Sequence, residues 1–99
     1  MKDGFETFWT HEARKNLETI HEYLVRNLSV KEVSGFYTKL DKKIGMISKN
    51  PYVFLASEIK KNVRRCVLTD EVAVFFDVSE NQIVILSIFD NRINQEGSR

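Results

Sequence analysis

The spacing of apolar positions changes twice along this chain, and the changes mark out its elements. Phe5-Glu6-Thr7-Phe8-Trp9 alternates and is rich in aromatics, which predicts a short first strand. Thr10 is placed to cap a helix, with Glu12 in the first turn where a carboxylate is favoured. Ala13, Leu17, Ile20 and Leu24 then recur at spacings of four, three and four, predicting a helix over about 11–27. Ser29-Val30-Lys31-Glu32 has the form of a capping box. Val33, Phe36, Leu40, Ile44 and Ile47 form the next stripe, so a second helix is predicted over about 30–48, closed by Asn50-Pro51. Gly35 and Gly45 weaken that helix, unless they let it lie close to its neighbour. So short a link between two helices requires an antiparallel hairpin.

Residues 51–58 are predicted as a loop, with Tyr52, Phe54 and Leu55 apolar enough to tuck against the core. Beyond it the period becomes that of strands: Ile59–Leu68, Val72–Val78 and Gln82–Asp90, separated by the hairpin-length breaks Thr69-Asp70-Glu71 and Ser79-Glu80-Asn81. Six of the seven residues from Ile83 to Phe89 are large and apolar, so the last strand offers apolar side chains to both faces. That predicts a central strand covered on each side. The order β-α-α-β-β-β gives an α+β domain, an antiparallel helical hairpin packed on a small, mostly antiparallel sheet. Residues 1–99 form one domain, with no repeat and no linker.

Composition changes this picture little. The hydrophobic fraction of 42% and charged fraction of 29% are those of an ordinary globular protein, and no apolar run approaches the roughly 20 residues that span a bilayer. The amino-terminal residues lack the pattern of a signal peptide, and the single Cys66 cannot form an internal disulfide. A cytoplasmic setting is therefore expected, with no membrane association. Charge is more informative. The net charge of +1 conceals a basic middle, residues 31–69, with nine Lys/Arg against three Asp/Glu, and an acidic end, residues 70–99, with two against six. The middle either faces an anionic partner or forms a solvated face.

The candidate contact residues are Lys60, Lys61, Arg64 and Arg65 on the second strand and Asp90, Asn91 and Arg92 where the last strand ends. Strand alternation points Arg64 and Arg65 to opposite faces. If the two strands meet at one rim, Arg92 joins them, and clustered guanidiniums suit phosphate or carboxylate recognition. The alternative is internal pairing of Arg64 or Arg65 with Asp77 or Asp90, and the sequence leaves both open. His11 and His21 do not have metal-ligand spacing, Cys66 has no second thiol nearby, and no Gly-rich phosphate loop occurs. Neither a metal nor a cofactor is expected. Tyr23 and Tyr37 fall beside core stripes and are expected to pack there.

Trp9-Thr10-x-x-Ala13-x-x-x-Leu17-x-x-Ile20-x-x-Tyr23-Leu24, the stripe from Phe36 to Ile44, Asn50-Pro51, Val63-Arg64-Arg65, and Ile83 through Phe89 into Asp90-Asn91-Arg92 together resemble the RelE/ParE superfamily. Its members are the toxic halves of bacterial toxin–antitoxin or plasmid-stabilisation pairs. The strand ending in Asp-x-Arg is the most specific part. The resemblance implies one of two activities: RelE-like members cleave messenger RNA in the ribosome, whereas ParE-like members poison DNA gyrase and are not nucleases. RelE-like enzymes typically open the third strand with Tyr-Arg, where this chain has Val72-Ala73. Their carboxyl-terminal His or Tyr is also missing, because Asp-Asn-Arg-Ile-Asn-Gln-Glu follows Phe89. Catalytic residues are thus not identified, and the ParE-like branch is favoured. The resemblance further implies a cognate antitoxin, whose acidic segment the basic middle would attract, and either a homodimer or a toxin–antitoxin hetero-oligomer. A ribosome-dependent endoribonuclease and a decayed toxin that only binds antitoxin are the alternatives.

Overall fold

The computed structural model describes residues 4–58 and 62–93. Strand β1 (Glu6–Trp9) leads into helices α1 (His11–Asn27) and α2 (Val30–Lys49), then a 3₁₀ turn at Pro51–Val53. Strands β2 (Leu55–Ala56), β3 (Val63–Val67), β4 (Val72–Ser79) and β5 (Gln82–Asp90) follow. Both helices start where their caps place them. The Thr10 hydroxyl accepts from the Ala13 amide at 3.0 Å, and Ser29 and Glu32 close a reciprocal capping box. The segment expected as a loop contributes the short edge strand β2. Only part of that segment tucks in: Phe54 packs edge-on against buried Phe76, whereas Tyr52 and Leu55 are exposed. The expected strand Ile59–Leu68 is shorter, Val63–Val67, and its first residues lie outside the described ones.

The sheet order is β1-β5-β4-β3-β2. β5 is interior, as the apolar run requires, with β1 parallel on one side and β4 antiparallel on the other. The helical hairpin covers one face. Ala13, Ile20 and Leu24 of α1 and Phe36, Leu40 and Ile47 of α2 bury against Val72, Val74, Phe76, Ile83, Ile85 and Ile88. Apart from Ala13, each such side chain contributes on the order of 1.5–3 kcal/mol by leaving water. The other face, called here the outer face, is not covered by the described residues. This corrects the expectation of a strand buried on both sides. Phe89 at 43% and Phe8 at 45% remain exposed there.

A β-bulge divides β5. Phe75 pairs with Ser87 but Phe76 pairs with Ile85, so Leu86 is the extra residue. Before it Ile83 and Ile85 face the helices, and after it Ile88 and Asp90 do. An added residue inverts the facing of everything beyond it. The bulge sits where β1 ends, since the β1–β5 ladder stops at Trp9 and Ile85. From there α1 replaces the missing strand. The Thr10 hydroxyl donates to the carbonyls of Ile85 and Leu86 at 3.0 Å each, and Asn16 Oδ1 accepts from the Ile88 amide at 3.0 Å.

Gly4 has a genuine conformational requirement, with φ +131° and the Ser48 carbonyl oxygen 2.9 Å from where a Cβ would stand. Gly35 and Gly45 do not. A Cβ at either position meets nothing within 4 Å, so neither lets α2 approach a neighbour in this chain.

Two outcomes are expected for stability. Asn16→Ala leaves the Ile88 amide without its acceptor and lowers unfolding free energy by about 1–3 kcal/mol, read from urea denaturation. Gly35→Ala and Gly45→Ala each raise it, by about 0.5–1 kcal/mol, because the helix gains propensity and nothing is displaced.

Candidate functional site

Asp90, Asn91 and Arg92 sit at the end of the most buried strand, and the bulge decides what they do. Asp90 is turned inward to 1% exposure. Its Oδ1 accepts from the Arg92 backbone amide at 2.9 Å and from Nε at 3.0 Å, and its Oδ2 from Nη2 at 2.8 Å. The carboxylate thereby caps the helical turn at residues 91–93 and holds the guanidinium in a two-pronged ion pair. The Arg92 guanidinium also lies 5.0 Å from the centre of the Tyr23 ring. The bond from Asp90 pushes the Arg92 pKa further up, against the opposing effect of burial. Asn91 is exposed, and its amide donates to the Glu71 carbonyl at 3.0 Å.

On β3 the two arginines point opposite ways, as alternation requires. Arg64 takes the helix side at the sheet's edge, where Nη1 donates to the Phe54 carbonyl at 2.6 Å and the guanidinium lies over the Tyr52 ring. It is bonded to a backbone carbonyl rather than to Asp77 or Asp90. Arg65 is exposed on the outer face, between Leu55 of β2 and Phe75 of β4. Lys60 and Lys61 lie outside the described residues.

The arginines therefore do not meet at one rim. β4 separates β3 from β5, and Arg64 lies in the row of Phe76 and Ile85. From Ile85 to Asp90 is about 15 Å of strand. The condition for a three-arginine cluster, that β3 and β5 meet at one rim, is not fulfilled.

Among the described residues, the outer face combines apolar surface with one cation, Arg65, and the half-buried carboxylate of Asp77. Leu55 at 76%, Val67 at 49%, Phe8 and Phe89 are exposed on it, with Phe75 and Val84 half-buried between them. Arg65 and Phe75 line a depression of about 430 Å³ together with Leu55, Ala56, Ser57 and Glu58. Contiguous exposed apolar surface around a charged group marks an interaction face rather than a solvated one. Cys66 points the other way and is buried, which pushes its thiol pKa up despite nearby Lys43. The thiolate is disfavoured, so this cysteine is a packing group.

Sequence periodicity missed one pair. His21 Nδ1 lies 2.8 Å from the Tyr37 hydroxyl, joining α1 to α2 beside a groove of about 460 Å³. Burial pushes the Tyr37 pKa up, so the phenol keeps its proton. Only the antiparallel hairpin geometry brings these residues, sixteen apart, together. The pair is across the sheet from Arg65. Among the described residues no group of three or more His, Cys, Asp or Glu could hold a metal ion, and no helix is long and apolar enough to cross a membrane.

Three solved structures show how general this architecture is. The chain superimposes on the chromosomal ParDE toxin–antitoxin system of P. aeruginosa with a TM-score of 0.72 at 19% identity, covering 87% of this chain and 95% of that one. The YoeB/ParE toxin of Agrobacterium tumefaciens gives 0.62 at 13% identity, with 86% and 96% covered. The E. coli DinJ-YafQ toxin-antitoxin complex gives 0.66 at 8% identity, with 90% and 94% covered. At these identities the likeness is one of fold. A comparison with curated protein sequences found no match. Residues 7–94, from the first strand to just past the Asp90–Arg92 turn, match the family described as ParE toxin of type II toxin-antitoxin system, parDE. The chain belongs to the ParE toxin family.

Proposed function

We propose that this ParE-family protein inhibits a cytoplasmic target protein such as DNA gyrase by binding it, without cleaving RNA. A cognate antitoxin neutralises it, in a plasmid-stabilisation or comparable toxin–antitoxin pair. The observation that supports this reading is the dispersal of the candidate cations. RNA cleavage through the 2′-hydroxyl needs a base, an acid and converging positive charge for the phosphorane. Among the described residues, Arg92 is neutralised by Asp90, Arg64 is committed to the Phe54 carbonyl, and Arg65 is the candidate cation that faces the open depression. His21 and Tyr37 form an acid–base pair of the right chemistry but lie on the hairpin, away from that depression. A sheet face that exposes Leu55 beside Arg65, with Val67, Phe89 and Phe8 elsewhere on it, suits a protein partner, and an amphipathic acidic antitoxin segment has matching chemistry.

Pulse-labelling of DNA and protein synthesis just after induction without antitoxin tests the reading. DNA synthesis is expected to fail first, and an earlier failure of protein synthesis would favour a ribosome-dependent nuclease. Arg65→Glu is expected to abolish growth arrest with unfolding free energy changed by no more than about 0.5 kcal/mol, because the side chain is exposed.

A further inference from the structure

The solvent side of α2 has a composition that solvation alone does not explain. Lys31, Gly35, Thr38, Lys42, Gly45 and Lys49 follow one another at spacings of four, three, four, three and four, so they form one stripe along the helix. All six are exposed. The stripe lies opposite the buried residues Phe36, Leu40 and Ile47. Helical spacing puts both acids of the helix, Glu32 and Asp41, off it. The charge is therefore of one sign from end to end.

The two glycines carry the argument further. Each costs a helix interior about 1 kcal/mol relative to Ala. Their Cβ positions meet nothing within 4 Å among the described residues, so none of those residues requires a glycine there. A solvated surface would be served as well by Ala, Gln or Lys. What a glycine on an exposed helix face does provide is close approach of another molecule to the backbone between the lysines.

We infer that this face of α2 docks on the phosphate backbone of duplex DNA. A protein interface core is depleted in lysine and enriched in aromatics, whereas this stripe contains only lysine, glycine and threonine. Lysine ammonium groups are point charges well suited to phosphate, and threonine hydroxyls and helix backbone commonly contact phosphate oxygens. From Lys31 to Lys49 the helix extends about 27 Å, along which each DNA strand presents a phosphate roughly every 3.4 Å. The surface is separate from the outer sheet face, because α2 packs on the sheet's other side, and the inference does not depend on the target proposed above.

The test is fluorescence anisotropy of a labelled 20-base-pair duplex titrated with the full chain between 50 and 200 mM salt. Three phosphate contacts predict a slope of log K against log salt of about −2.7, or roughly 40-fold weaker binding across that range. The K31Q/K42Q/K49Q variant is expected to lose binding at least about tenfold at 50 mM and to flatten the slope. Gly45→Gln is expected to weaken binding while raising the melting temperature, a pair of opposite changes that a purely structural role for the glycine would not produce. Undetectable binding at 50 mM salt, or a triple variant that binds like the parent, overturns the inference. So does loss of duplex binding in Arg65→Glu alone, which would assign it to the outer face. Preference for polyglutamate over duplex at matched salt would instead assign the stripe to an acidic protein, and equally overturns it.

Discussion

The extra residue at Leu86 is the constraint on which the carboxyl-terminal end of the sheet depends. With strict alternation from Ile83, the residues facing the helices would be Ser87 and Phe89, while Ile88 and Asp90 would lie on the outer face. The bulge reverses this. It puts Ile88 on the helix-facing surface, turns Asp90 inward at the end of the strand and sends Phe89 outward. The cost of interrupting the ladder is offset by groups from α1: the Thr10 hydroxyl on two carbonyls and the Asn16 amide oxygen on the Ile88 N–H. A strand that would otherwise expose an unpaired edge beyond Trp9 is thereby sealed by a helix.

The same reversal changes the chemistry of the strand's end. Turned inward, Asp90 is too buried to remain alone, and the guanidinium two residues later is the group that satisfies it. Arg92 is then a structural cation, stacked near Tyr23 and closing the junction of sheet and hairpin. The Asp-x-Arg ending so prominent in the chain is a fastening of the fold. The recognition proposed above uses instead the sheet face that the helices leave open.

The molecule has two exposed surfaces of different character, each proposed above as the site of a partner. Among the described residues, the outer sheet face carries exposed apolar side chains with one exposed arginine, the composition proposed above to suit a protein segment. The solvent face of α2 is polar, of one charge, and smoothed by glycine. They lie on opposite sides of the sheet, so both can be occupied at once. A ParE-family toxin carrying both could engage a protein while touching the nucleic acid that the protein holds.

The sequence by itself determined the two helices, the strands β1, β4 and β5 and the packing of the hairpin on the sheet, but neither the short strand β2 nor the open outer face. Caps at Thr10 and Ser29, stripes of 3.6-residue period and a continuous apolar run are local signals, and local interactions fix what they specify. It also determined that Arg64 and Arg65 diverge, since alternation on a regular strand admits nothing else. The facing of β5 beyond Leu86 was decided only by the tertiary structure. A strand apolar on both sides carries no parity signal, and the groups that select the bulge, Thr10 and Asn16, lie more than seventy residues away. For the same reason the chain could suggest three arginines at one rim but not refute it. The distance between Arg64 and Arg92 depends on β4 lying between their strands, and the commitment of Arg92 to Asp90 depends on which way the bulge turns that carboxylate.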